Sequence, residues 1–193
     1  MIAYSRGLLV MRFRQTVRVP SDRIGALLGK GGKTKKWLEE TFKIRLIVDS
    51  NTGEATIDSL TDTLETDTLK AVEVVNAIAR GFSQGRAARL KQDDTILSIM
   101  DLRSYQGKSS NSLTRVRGRI IGESGRARRV IEELTRAEVS VYGHTIAIIG
   151  RIDEVKLAED ALDILASGGP HRVAYQLLQK RRTEAKIERL KLW

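Results

Sequence analysis

Two short glycine clusters hold the residues best able to do chemistry. Gly29-Lys30-Gly31-Gly32 is followed by Lys33, Lys35 and Lys36, and Gly122-Glu123-Ser124-Gly125 by Arg126, Arg128 and Arg129. Glycine lets a backbone turn sharply and approach a ligand with no Cβ in the way. Cations beside it select an anion, a phosphate above all. Three kinds of phosphate-binding loop compete for these residues. A P-loop, G-x-x-x-x-G-K-[ST], would end at Gly32-Lys33-Thr34, but its first glycine position holds Leu27 and a helix replaces the preceding strand. A dinucleotide fingerprint, G-x-G-x-x-G, is met by Gly29 and Gly31 but needs a third glycine where Thr34 stands, and no parallel βαβ unit surrounds it. The third is a G-x-x-G hinge between two helices, which offers free amides at the start of the second helix to a nucleic-acid backbone. Both clusters carry it, as Gly29-x-x-Gly32 and Gly122-x-x-Gly125.

Other chemistries are poorly supplied. The 193 residues include 34 Lys and Arg against 24 Asp and Glu, a net charge of +10 that favours a polyanionic partner. There is no cysteine, which excludes disulfides, zinc knuckles, iron–sulfur clusters and thiol nucleophiles. The two histidines, His144 and His171, stand apart, and no residues have metal-ligand spacing. We therefore expect no cofactor, no metal and no catalysis. No apolar run approaches the roughly 20 residues that span a bilayer. The apolar stretch from Leu8 to Met11 is too short for a signal peptide. The expectation is a soluble, intracellular and cytoplasmic protein, with Met11 offering an alternative start.

An internal repeat organises the chain. A shift of 93 residues places Gly25 on Gly118, Gly29 on Gly122, Gly32 on Gly125 and Glu39-Glu40 on Glu132-Glu133 without a gap. Similar pairs fill the register, such as Leu27-Leu28 with Ile120-Ile121 and Leu46 with Val139. We read a duplicated unit of about 70 to 80 residues, each copy with its own small core.

Each copy has the order β-α-α-β-β-α. In the first, Arg14 to Val19 alternates and stops at Pro20, giving a strand. Ser21-Asp22 is an N-cap pair for a helix through Leu28, and a second helix runs from Lys33 to Phe42 with Trp37, Leu38 and Phe42 as its buried side. Ile44 to Val48 and Glu54 to Asp58 are strands around the turn Ser50 to Gly53. After a loop from Leu60 to Leu64, Thr66 or Asp67 caps a long helix with Leu69, Val72, Val75, Ile78, Ala79 and Phe82 on its apolar side. In the second copy the strand Thr95 to Leu102, the loop Gln106 to Asn111, helices Ser112 to Ile121 and Arg126 to Arg136, strands Val139 to Tyr142 and Thr145 to Ile149, and a helix Ile152 to Leu165 follow in turn. Gly85 to Asp94 is read as a linker, and Val173 to Leu192 as a basic helix after Pro170. This gives expected domains at 1–90 and 91–169, and a C-terminal helix at 170–193.

The run Ile24-Gly25-x-x-Leu28-Gly29-Lys30-Gly31-Gly32 closely resembles the signature of KH domains, and the element order is their type I arrangement. The fold class is then α+β, two tandem type I KH domains and a C-terminal helix. The second copy runs Arg117-Gly118-Arg119-Ile120-Ile121-Gly122, then Arg128-Arg129-Val130-Ile131-Glu132-Glu133-Leu134, then Val139-Ser140-Val141-Tyr142-Gly143, with Gly169-Pro170-His171 downstream. It is similar to the archaeal relatives of the Dim and Krr small-subunit assembly factors. That resemblance implies binding of single-stranded RNA, small-subunit rRNA or its precursor near the 3′ end, beside an assembly-factor or nuclease partner. A protein–protein adaptor in an RNA-processing complex and a general KH regulator of mRNA are the alternatives.

Against these roles stand plainer ones. Lys30, Lys33, Lys35 and Lys36 would contact phosphates, or would simply be the charged face of a helix. Their place at a helix N-terminus, unfavourable for cations, argues for a ligand. Arg119, Arg126, Arg128 and Arg129 are the matching cluster. Ile24, Gly25, Leu28, Ile44 and Leu46 would floor a groove for bases, with core packing the better reading of the two strand residues. Trp37 is read as core or cover, the paired glutamates as solvated helix faces, and both histidines as surface or turn residues. Glu123 and Ser124 replace Lys30 and Gly31 in the second loop, and a carboxylate there repels phosphate. The expected RNA-binding set is therefore Ile24, Gly25, Leu28, Gly29, Lys30, Gly31, Gly32, Lys33 and Lys36 in the first copy. In the second it is Gly118, Arg119, Gly122, Glu123, Ser124, Gly125, Arg126 and Arg129.

Overall fold

In the computed structural model of the chain, residues 3–5, 8–10, 13–60, 66–105 and 112–191 are described. The chain divides into two compact units, Met1–Lys91 and Gln92–Trp193. The first holds β1 (Ala3–Ser5), β2 (Leu8–Val10), β3 (Arg14–Arg18), α1 (Ser21–Leu28), α2 (Lys33–Phe42), β4 (Ile44–Asp49), β5 (Glu54–Ser59), α3 (Thr66–Ala79) and α4 (Gln84–Ala87). The second holds β6 (Thr95–Asp101), α5 (Ser112–Ile121), α6 (Arg126–Thr135), β7 (Glu138–Tyr142), β8 (Thr145–Arg151), α7 (Ile152–Ala166) and α8 (His171–Lys191). The expected β-α-α-β-β-α order occurs in each.

Each unit forms an antiparallel three-stranded sheet whose last strand lies in the middle, β3-β5-β4 in one and β6-β8-β7 in the other. Strand alternation sets the register. In β4, Ile44 and Leu46 are buried while Arg45 and Ile47 are exposed, and Leu46 pairs with Ile57 of β5. Helices cover the inner face. Leu27, Leu38, Phe42, Val75, Ile78 and Phe82 close the first core, each stabilising it by about 1.5–3 kcal/mol. In the second unit Ile120, Ile131, Val139, Ile146, Ile148, Leu162 and Leu165 cluster, joined by Ala174 and Leu178 of α8. The C-terminal helix is therefore part of the second core.

Several expectations are corrected. Ser21 and Asp22 do not cap α1. Pro20, whose ring fixes φ at −56°, takes the N-cap position with no side-chain bond. Leu69, expected on the buried side of α3, is exposed. Most of the stretch expected as a linker is folded: Ser83 Oγ accepts Arg86 N–H at the start of α4, a 3-10 turn Ala88–Lys91 follows, and Ala87 and Leu90 are fully buried, while Gln92 to Asp94, just past the boundary between the units, are exposed and irregular. The pairing of β1 with β2 was not anticipated. The expected loops from residue 61 to 64 and from 106 to 111, and residues 192–193, lie outside the described residues, as does Met11.

Candidate nucleic-acid interface

Both glycine loops have one backbone geometry. α1 ends at Gly29, whose N–H donates to Gly25 O at 2.9 Å, and Gly32 N–H donates back to Gly29 O at 3.1 Å. In the second unit Gly122 N–H reaches Gly118 O at 2.8 Å and Gly125 N–H reaches Gly122 O at 3.1 Å. Gly29 has φ 74°, ψ 169° and Gly122 has φ 71°, ψ 174°, a combination open in practice only to glycine. A Cβ on Gly29 would lie 2.7 Å from Thr34 N, and one on Gly122 2.8 Å from Ala127 N. The first glycine thus lets the next helix start directly against the loop. The loop interior differs. Gly31 and Gly32 are left-handed, and a Cβ on either would meet nothing within 4 Å. Ser124 adopts the same left-handed conformation, φ 49°, without glycine's freedom.

The cations split into two groups. Lys30 and Lys33 are exposed and form no ion pair with a described residue, as is true of Arg126 and Arg129. Lys36 pairs with Glu40 at 3.6 Å, and Arg128 with Glu132 at 3.8 Å. Arg119, expected to meet phosphate, is spent within the fold: it donates to Leu165 O at 3.3 Å, Gly168 O at 2.9 Å and Gly169 O at 2.5 Å, closing the carbonyl end of α7. Arg23 does the same for α3, donating to Ile78 O at 2.9 Å and Phe82 O at 2.7 Å. These caps act across many residues and from positions the repeat does not match, so no local pattern marks them.

Of the groove residues, Ile24, Ile44 and Leu46 are core, while Gly25 and Gly118 are exposed and Leu28 is half-buried beside the first loop. Trp37 packs its edge against Phe42, ring centroids 6.0 Å apart, as cover. The glutamates expected to be solvated are not equivalent. Glu39 Oε1 accepts Leu46 N–H at 3.0 Å and Glu132 Oε1 accepts Val139 N–H at 2.8 Å, so each closes the outer edge of its sheet. The signal was present, since the shift of 93 carries both partners of the first pair onto the second. Glu132→Ala leaves the Val139 N–H without its partner and is expected to cost about 1–3 kcal/mol, with Glu132→Gln, which keeps an acceptor, costing much less. Chemical denaturation of the two variants measures the difference.

Comparison with known proteins follows the same division. A model described as "KH domain" matches residues 14–65, and one described as "Eukaryotic type KH-domain (KH-domain type I)" matches residues 96–183. The chain is 39% identical over 182 residues to KH domain-containing protein MJ0443 of Methanocaldococcus jannaschii, covering 93% of this chain and 78% of that one. It is 29% identical over 169 residues to the pre-rRNA-processing protein pno1 of Aspergillus fumigatus, covering 85% of this chain and 66% of that one. Among solved structures, a complex of a/eIF2alpha, aDim2p and rRNA from Pyrococcus horikoshii OT3 contains a chain 42% identical, with a TM-score of 0.84 over 90% of this chain and 96% of that one.

Proposed function

The chain belongs to the family of tandem KH-domain proteins that includes archaeal Dim2p and the Pno1 pre-rRNA-processing proteins, and from that membership we propose that it binds single-stranded small-subunit rRNA or its precursor during ribosome assembly. The role is binding without catalysis. The observation that carries this reading is the first loop. Lys30 in the loop and Lys33 at the start of α2 pair with no described residue, and the space over Gly31 and Gly32 is open. Backbone amides, two exposed cations and room for a chain of phosphates meet there. In the second unit Arg126 and Arg129 supply the charge that Glu123 opposes. The relative from Pyrococcus horikoshii occurs with rRNA and with a/eIF2alpha, and a protein partner of similar kind is part of the reading for this chain.

Salt dependence tests it. Contact with about four to six phosphates gives a slope of log K against log salt on the order of −3 to −4 for a single strand. Titrating a labelled single-stranded RNA at several salt concentrations measures that slope. A slope near zero would mean that the positive charge is not used on nucleic acid.

A further inference from the structure

The start of α8 is tied to the second loop's own helix. His171 Nε2 sits 2.8 Å from Arg119 O, while the Arg119 guanidinium holds the carbonyls at Gly168 and Gly169 just before α8 begins. Tyr175 lies one turn further on, its ring centroid 6.1 Å from that of His171 with 56° between the planes. Ala174 and Leu178 seat α8 in the core, against α6 and α7. The first residue of α6 is Arg126, directly after the loop's Gly125.

Tyr175 is only half-buried, and its hydroxyl makes no hydrogen bond to a described residue. The helix that begins at Arg126, α6, packs against α8, and the Arg126 charge opposes the upward push that burial gives the Tyr175 phenol. Arg172, Lys180, Arg181 and Arg182 are exposed on the same helix, which holds seven Lys and Arg against two Glu.

We propose that Tyr175 is a stacking platform for an unpaired RNA base, beside a phosphate held by Arg126. Aromatic faces accept any base, so the platform adds affinity without demanding a sequence. The Arg119 and His171 bonds fix α8 in place, so the ring is presented already ordered. This surface also gives the second loop a non-ionic source of affinity that offsets the repulsion from Glu123. The proposal rests on the RNA-binding reading above and deepens it.

The test uses the full chain and a fluorescein-labelled single-stranded RNA of a dozen nucleotides from the 3′ end of small-subunit rRNA, read by anisotropy. Tyr175→Phe keeps the ring and is expected to bind within about twofold of the parent. Tyr175→Ala and Tyr175→Leu are expected to bind about tenfold more weakly. Their salt slope stays that of the parent, because stacking releases no counterions. Tyr175→Leu preserves bulk in the α6–α8 seam, and melting followed by circular dichroism shows that it is folded. If the parent binds and both ring-deleting variants bind within twofold of it, Tyr175 is packing and the proposal is overturned. If the parent itself fails to bind, the RNA reading of the whole chain falls, and Tyr175 with it.

Discussion

Gly29→Ala and Gly122→Ala each destabilise the chain by at least about 3 kcal/mol, while Gly31→Ala costs only about 1 kcal/mol. The reason is the backbone, not the ligand. Gly29 and Gly122 combine positive φ with nearly extended ψ, which alone costs a side chain on the order of 1–3 kcal/mol. A Cβ there would also press into the first turn of the next helix, 2.7 Å from Thr34 N and 2.8 Å from Ala127 N. Neither neighbour can move without pulling α2 or α6 off its core, because Thr34 and Ala127 are themselves buried. Gly31 is left-handed but faces open space, so only the ordinary left-handed penalty applies. Ser124 already bears that penalty in the second copy. In a unit of this size each kcal/mol lowers the melting temperature by about 4–8 °C. Melting of the three variants side by side therefore separates them clearly. Equal losses at Gly29 and Gly31 would show that the loop geometry described above is wrong.

The glycines were legible because their constraint is local. A turn between two apolar helices, repeated in register, needs no knowledge of what lies across the fold. The strands of the first sheet were legible for the same reason, since Ile44 and Leu46 flank Arg45 and Ala55 and Ile57 flank Thr56, whereas the central strand of the second, Thr145–Arg151, is buried along nearly its whole length and shows as an apolar run. The segment Gln84–Lys91 was not, because it buries only Ala87 and Leu90 among polar residues and is too short to show a period. Arg119 was misread as a phosphate ligand because its side chain answers to carbonyls 46 to 50 residues away, a requirement visible only when α5 and α7 are packed together. Arg23 is the same case. Tyr175 was missed because nothing in the sequence of α8 says which side of that helix meets α6. What sequence reading could reach was the loop, and what it could not was which of the surrounding cations the fold had already consumed.

Exchanging both Lys30 and Gly31 for Asp is expected to lower RNA affinity by about ten- to a hundredfold, roughly 1.4–2.7 kcal/mol. The change swings local charge by three units at the point where a phosphate lies in the proposed complex. The Lys30 side chain is exposed and bonds to no described residue, and its carbonyl, which accepts Lys33 N–H, is kept on substitution, so replacing it breaks nothing in the fold. Gly31 tolerates a side chain sterically, and Asp visits left-handed backbone more readily than most residues. The circular dichroism spectrum is therefore unchanged and the melting temperature falls by only a few degrees. The salt slope flattens as well, because phosphate contacts are lost with the lysine. This separates the change from Tyr175→Ala, which weakens binding at constant slope. The second loop carries Glu123 where the first carries Lys30, so Asp substitutions there start from a site already partly repelling phosphate and cost less. An intact fold with affinity within about twofold, roughly 0.4 kcal/mol, would remove the first loop from the interface. RNA binding would then have to be carried by the second unit alone, through Arg126, Arg129 and the face of α8.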